Sequence, residues 1–334
     1  MSTSKTSRTW TIIAFSLSII VIGFAGWLFL NRQNVLDQLS VWSFEPSSSI
    51  KALDEKVQFT NRGKFIFYAT KPIVANASEF NGECPRQEAG SPILGCYTTE
   101  DRIYVFDIDN PQLEGMKEVT AAHEMLHAVW ERMSADEQAK IGALLTAAYE
   151  KNANEALRER MAYYQRNEPD ALTNELHSIL GTEVSTLGSE LENYYAKYFK
   201  DRQVILAMHD KYDAVYTGLN KQAETLYADM QSLSKSIEER STTYGTQVSQ
   251  LGSSIAGFNQ RANSGNFSSA SAFNSERAAL VRRSNQLEAD RAAINNDITK
   301  YEGMYTQYQA LASQIEVLND SVDSFKSLDE IPQV

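Results

Sequence analysis

The chain has 334 residues, 43% of them hydrophobic and 22% charged, the balance of a globular protein long enough for two or three domains. Its formal net charge of −12 offers phosphates no basic face, which excludes a nucleic-acid-binding protein.

Residues 10–30 form an apolar run without a charge, long enough to cross a bilayer as a helix. Lys5 and Arg8 precede it and Arg32 follows it. The run exceeds the core of a secretory signal, and no small-x-small cleavage site follows Leu30, so it reads as a retained anchor rather than a cleaved signal. The basic residues 1–9 are expected in the cytoplasm, with everything after Asn31 outside the cell membrane. Residues 31–56 read as a linker. Between residues 57 and 109 the chain looks like strands. Residues 64–70, Lys-Phe-Ile-Phe-Tyr-Ala-Thr, and 102–108, Arg-Ile-Tyr-Val-Phe-Asp-Ile, are rich in β-branched and aromatic side chains. An edge strand there would hold an extended peptide by main-chain pairing. Cys84 and Cys96 flank a loop with Pro85, Gly90, Pro92 and Gly95. In an oxidising compartment such a pair reads as a disulfide, two unpaired thiols being the other reading.

Residues 121–127, Ala-Ala-His-Glu-Met-Leu-His, follow a turn marked by Pro111. On a helix His123 and His127 stand one turn apart on one face, where both rings can reach one ion. Glu124 sits beside the first ligand, placed to act as general base on a water at the metal. Zinc lowers the pKa of such a water, so the expected chemistry is peptide-bond hydrolysis. The competing reading is a helix whose two histidines are exposed or hydrogen-bonded core residues.

The histidine helix is expected to end near Met133, with Ser134 to Glu137 as a capping box for a helix over residues 135–165. Asn167, Pro169 and Asp170 interrupt it, and a third helix begins near Ala171. There Glu175, His177 and Glu183 are candidates for a third ligand. Glu175 is favoured: Asn174 precedes it, and the small Ser178 lets its helix approach closely. Gly181 reads as a helix stop, which puts Glu183 beyond the rigid part. His177 would complete a three-histidine site or stabilise the oxyanion. Tyr163, Tyr164, Tyr194, Tyr195 and Tyr198 read as packing residues.

His123-Glu124-Met-Leu-His127, followed by Asn174-Glu175 on another helix, resembles the gluzincin branch of the zincin metallopeptidases, typified by thermolysin. The resemblance covers residues 57–202. It implies that His123, His127 and Glu175 bind Zn2+ with Glu124 as general base, in an α+β zincin-like domain of short sheet plus active-site helices. One departure stands out. The family often has an aspartate four residues after the glutamate ligand, orienting an imidazole, and here that position is Ile179, so another carboxylate or carbonyl must do this. The glycine of the metzincin motif is missing, since residues 128–132 read Ala-Val-Trp-Glu-Arg.

From about Gln203 a heptad stripe runs through Leu219, Leu226, Met230, Leu233, Ile237, Tyr244, Val248, Leu251, Ile255 and Phe258. After a break at residues 263–269 a second stripe includes Phe273, Leu287, Ile294, Ile298, Tyr305, Leu318 and Phe325. Residues 203–326 are therefore expected to form a long antiparallel coiled-coil hairpin, with a parallel coiled coil between chains as the competing arrangement. His209 reads as an exposed histidine, and residues 327–334, with Pro332, as a frayed tail. The expectation is a membrane-anchored zinc endopeptidase acting outside the membrane on a protein or peptide substrate, its hairpin a spacer, a partner-binding arm or a self-association module. The alternative is a membrane-tethered coiled-coil adaptor whose zincin-like domain is inert.

Overall fold

Residues 64–70 and 102–108 look alike in composition, yet they take different backbones, and burial decides which. The computed structural model describes residues 4–85 and 93–326. In it the first run lies inside a helix, Asn61–Ala69, whose N-cap Thr60 accepts from the Gly63 amide and whose Gly63, Ile66 and Phe67 are buried on one face. The second contains a strand, Ile103–Phe106, buried at every position. Composition favoured strand in both, but a cap and an i, i+3, i+4 pattern make the first a helix.

In chain order the elements are α1 (Ser4–Leu30), α2 (Arg32–Ser43), α3 (Ser48–Val57), α4 (Asn61–Ala69), β1 (Ile73–Ala75), α5 (Ala77–Glu83), β2 (Gly95–Tyr97), β3 (Ile103–Phe106) and a 3-10 turn at Pro111–Leu113. Then come α6 (Met116–Glu131), α7 (Ala135–Asn152), α8 (Glu155–Asn167), α9 (Leu172–Glu183), α10 (Ser189–Tyr195), α11 (Arg202–Asn263) and α12 (Ala270–Val322). Twelve α-helices against three strands of three or four residues, among the described residues, make the chain mostly helical and overturn the expected α+β zincin-like fold. The residues expected as a linker, 31–56, instead hold α2 and most of α3. The expected tail at residues 327–334, with Gly90 and Pro92 of the loop, lies outside the described residues.

The sheet has the order β1-β3-β2, with β1 parallel and β2 antiparallel to the central β3. It packs on α6. Cys84 and Cys96 stand 5.8 Å apart at Cα, at disulfide distance, joining the end of α5 to β2. The capping box at Ser134 is present. The single helix expected over 135–165 is two, because Asn154 caps a new one by accepting from the Leu157 amide.

The chain divides into two compact units: residues up to Val215 together with those from Leu318 on, and Tyr216–Val317. In the first, Leu53, Phe67, Ile103, Met125, Leu126, Leu180 and Tyr195 belong to one core that surrounds α6. In the second, α11 and α12 run antiparallel, since Tyr227 meets Tyr308, Arg240 pairs with Asp297, and Phe258 meets Phe273. Met230, Leu251, Phe258, Leu287 and Ile294 are buried along the seam. Val248, Ile255, Ile298 and Tyr305 fall outside it and are exposed, because the seam alternates three- and four-residue steps and admits the polar Arg240 and Asp297 instead.

Close approach of α9 to α6 depends on Gly181, which does not stop α9 but sits inside it. A Cβ there would lie 2.4 Å from Leu126 Cδ1 and 2.8 Å from Tyr195 Cε1. Gly181→Ala is therefore expected to lower the unfolding free energy by about 1–3 kcal/mol in urea denaturation. Gly218→Ala, whose Cβ meets nothing, should leave it unchanged or raise it slightly.

Candidate metal centre

Buried on nearly all sides, α6 turns His123 and His127 to the same face, their ring centroids 4.8 Å apart and their planes at 75°. Across from them α9 presents Glu175 in its first turn, where a carboxylate is favoured by the helix dipole. Beyond it Ser178 and Gly181, both fully enclosed, bring the two helices together. The result is a convergence of donors. Nε2 of His123 lies 3.7 Å from Glu175 Oε2, and Nε2 of His127 lies 3.5 Å from Oε1.

These separations are too long for good hydrogen bonds, and Glu175 Oε2 is buried without a hydrogen-bond partner. They suit atoms that share an ion, since donors about 2.0–2.1 Å from a tetrahedral metal stand roughly 3.3–3.5 Å apart. The ligand atoms of His123, His127 and Glu175 all lie within 4.8 Å of one another, so the group can hold a metal ion. Burial works against charge on Glu175. Even so, the two imidazoles and the Tyr164 hydroxyl bring its pKa down to about 2, leaving an anion where a cation would sit.

The imidazole of His127 has its own support. Its Nδ1 lies 2.9 Å from the amide oxygen of Asn174, which only accepts, so Nδ1 carries the proton and Nε2 keeps its lone pair for a metal. Asn174 thus orients one of the two imidazoles, while position 179, where the resemblance leads one to look for an orienting aspartate, is a buried isoleucine. In the sequence Asn174 stood out only by adjoining Glu175.

Glu124 is buried next to His123, and burial pushes its carboxyl up to about 7 against the pull of His127. The main chain of Tyr97 on β2 also favours its carboxylate form. Gly95 packs over its side chain: a Cβ there would stand 2.8 Å from Glu124 Oε1. Among the described residues β2 is an edge strand, and since its flanking Leu94 and Thr98 turn their main chain to β3, the backbone of Gly95 and Tyr97 faces away from β3. A cleft of about 730 Å³ opens here, with His123, Glu124, Gly95, Tyr164, Arg160 and His209 on its walls.

The other candidates are elsewhere. His177 is completely buried, its Nε2 2.8 Å from the Tyr194 hydroxyl and its ring against Trp130 and Tyr195; burial lowers its pKa well below the usual range, so it stays neutral. It faces away from the donors because α9 spends that side on the aromatic core. Glu183 lies within α9 and is taken by Arg160 and by His209 Nε2 at 3.6 Å. His209, expected to be exposed, has only 18% of its side chain accessible and lines the cleft. Of the tyrosines, Tyr194, Tyr195 and Tyr198 pack together, while Tyr164 reaches Glu175. Nothing local in the sequence separated Tyr164 and His209 from ordinary packing residues, since both reach the cleft only through the folding of α8 and α11 beside α9.

Compared with protein families, curated proteins and solved structures, the chain matches none.

Elemental analysis of the purified full-length chain should find one bound metal, lost in Glu175→Ala and kept in Glu183→Gln. Asn174→Ala should weaken binding about 10–100-fold in competition with a chromogenic chelator.

Proposed function

We propose that this is a membrane-anchored zinc endopeptidase with a gluzincin-like donor set, its N-terminus cytoplasmic and its metal centre on the outer side. The observation that carries this reading is the meeting of His123, His127 and Glu175 within 4.8 Å, with Glu124 beside His123 on the wall of a cleft. Two imidazoles and a carboxylate, with His123 of the three reaching a cleft, are the donor types of catalytic zinc. Bound there, zinc would supply a Lewis acid for the scissile carbonyl and lower the pKa of a neighbouring water.

The chain's own groups divide the remaining work. Glu124, desolvated beside His123, takes the proton of the attacking water and returns it to the departing amine. The main chain of Gly95, on a strand that is at the sheet edge among the described residues, pairs with an extended peptide and lays it along Glu124, which favours a peptide over a compact substrate. His209, oriented by Glu183, and the Tyr164 hydroxyl are donors available to charge developing on the carbonyl oxygen. The apolar helix over Ile13–Leu30 supports the anchor, and a cysteine pair at disulfide distance agrees with an oxidising compartment.

The second reading, a tethered adaptor with an inert metal site, differs in one respect: it has no use for Glu124. The wild-type chain should cleave an unstructured protein in a chelator-sensitive manner. Glu124→Gln should keep its metal and lose roughly 10²–10⁴-fold in rate. Bound metal with cleavage indifferent to Glu124, or with none across a panel of unstructured proteins, would favour the adaptor.

A further inference from the structure

Residues 32–43 do not behave as a flexible connector. Leu30 ends α1 and Arg32 begins α2, and the amides of Asn31 and Val35 bond to the carbonyls of Trp27 and Asn31. Among the described residues, however, the amides of Arg32, Gln33 and Asn34 make no bond back to α1, and Asn31 leaves helical geometry at φ −109°, ψ 16°, so the helical ladder is interrupted at a short, fixed joint. One side of α2 is committed to the protein body. Asp37, 2% exposed, accepts from Arg132 Nε at 3.0 Å and Nη2 at 2.8 Å, and from Gln33 Nε2 at 2.9 Å. Arg132 is the C-cap of α6, so this charge-assisted pair ties α2 to the helix that carries both histidines.

The opposite side of α2 is not covered by any of the described residues. Leu36, Leu39 and Trp42 are 44%, 52% and 75% exposed, and their spacing of three draws an apolar stripe along the helix. The one acidic side chain of α2, Asp37, is turned inward, whereas its one basic side chain, Arg32, is exposed. Leucine, tryptophan and a cation on one helix face suit the boundary between anionic headgroups and acyl chains. Position supplies the occupant, because α2 starts two residues after a helix whose 18-residue window has mean hydropathy 2.3 and is 0% buried.

We propose that Leu36, Leu39 and Trp42 insert into the headgroup boundary of the bilayer that α1 crosses, so that the unit carrying the metal centre is seated on the membrane rather than hung from it. This rests on the reading of α1 as a membrane span. At 1.5 Å per residue, Asp37 is about 10 Å along the chain from Leu30, and His127 about 8 Å along α6 from Arg132, which keeps the metal centre close to the lipid surface.

The test compares the full-length chain with Trp42→Phe and Trp27→Phe in vesicles of mixed zwitterionic and anionic lipid, brominated either near the headgroup or near the acyl-chain end. The expected result is that the emission contributed by Trp42, obtained by difference, is lost in the headgroup-brominated vesicles and largely kept in the others. Undiminished Trp42 emission beside quenched Trp27 would overturn the proposal and leave the span intact. Unquenched emission from both would overturn span and proposal together. A nitroxide on Leu39→Cys gives an independent reading: collisions with oxygen exceeding those with a water-soluble nickel chelate are expected, and the reverse would count against insertion.

Discussion

The metal donors form a set because α9 lies against α6 with no side chain between them at Gly181. That single approach fixes the distance between Glu175 and the two imidazoles, and it requires small residues at Ser178 and Gly181. The site it creates is costly without a cation. Glu124 and Glu175 are both desolvated, Glu175 opposes charge on Glu124, and one oxygen of Glu175 has no hydrogen-bond partner. A divalent ion would relieve all three, so a metal bound there would add to folding stability.

Two buried guanidinium groups hold the frame in which this approach occurs. Arg202, 5% exposed, donates to the carbonyl oxygens of Val184 at 2.7 Å and Ser185 at 3.2 Å, and pairs with Glu192. It thereby satisfies main-chain acceptors just past the end of α9 and favours the negative pole of that helix. Arg132 binds Asp37 of α2 and Asp101 of the turn after β2 at 2.8 Å each. Tyr97, on β2, bonds through its hydroxyl to the same Asp101 at 2.7 Å. One charge network therefore runs from the helix following the apolar helix α1, through the end of α6, to β2 of the sheet.

Sequence reasoning failed where two structures share a composition. Residues 64–70 are aromatic and β-branched enough for a strand, but Thr60 caps them as a helix and the core takes one face of that helix. Gly181 had the spacing of a stop and served instead as a point of contact. Val248 and Ile298 joined apolar stripes by hydrophobicity alone, while the seam itself accepted an arginine and an aspartate at its own period. Each error comes from weighing a residue's type before knowing what lies opposite it.

By itself the sequence determined what is local: a long uncharged run that must be helical and apolar, a histidine pair four residues apart that shares a helix face, the capping box at Ser134, and a heptad period extending over many turns. Such features depend on hydrogen bonds and side-chain directions within one element. Only the tertiary structure decided that Glu175 rather than His177 or Glu183 faces the histidines, that Asn174 orients His127, and that His209 lines the cleft. Those choices depend on how α9 packs on α6 and how α8 and the start of α11 lie beside α9, and packing is settled by the volumes and charges of residues far apart in the chain.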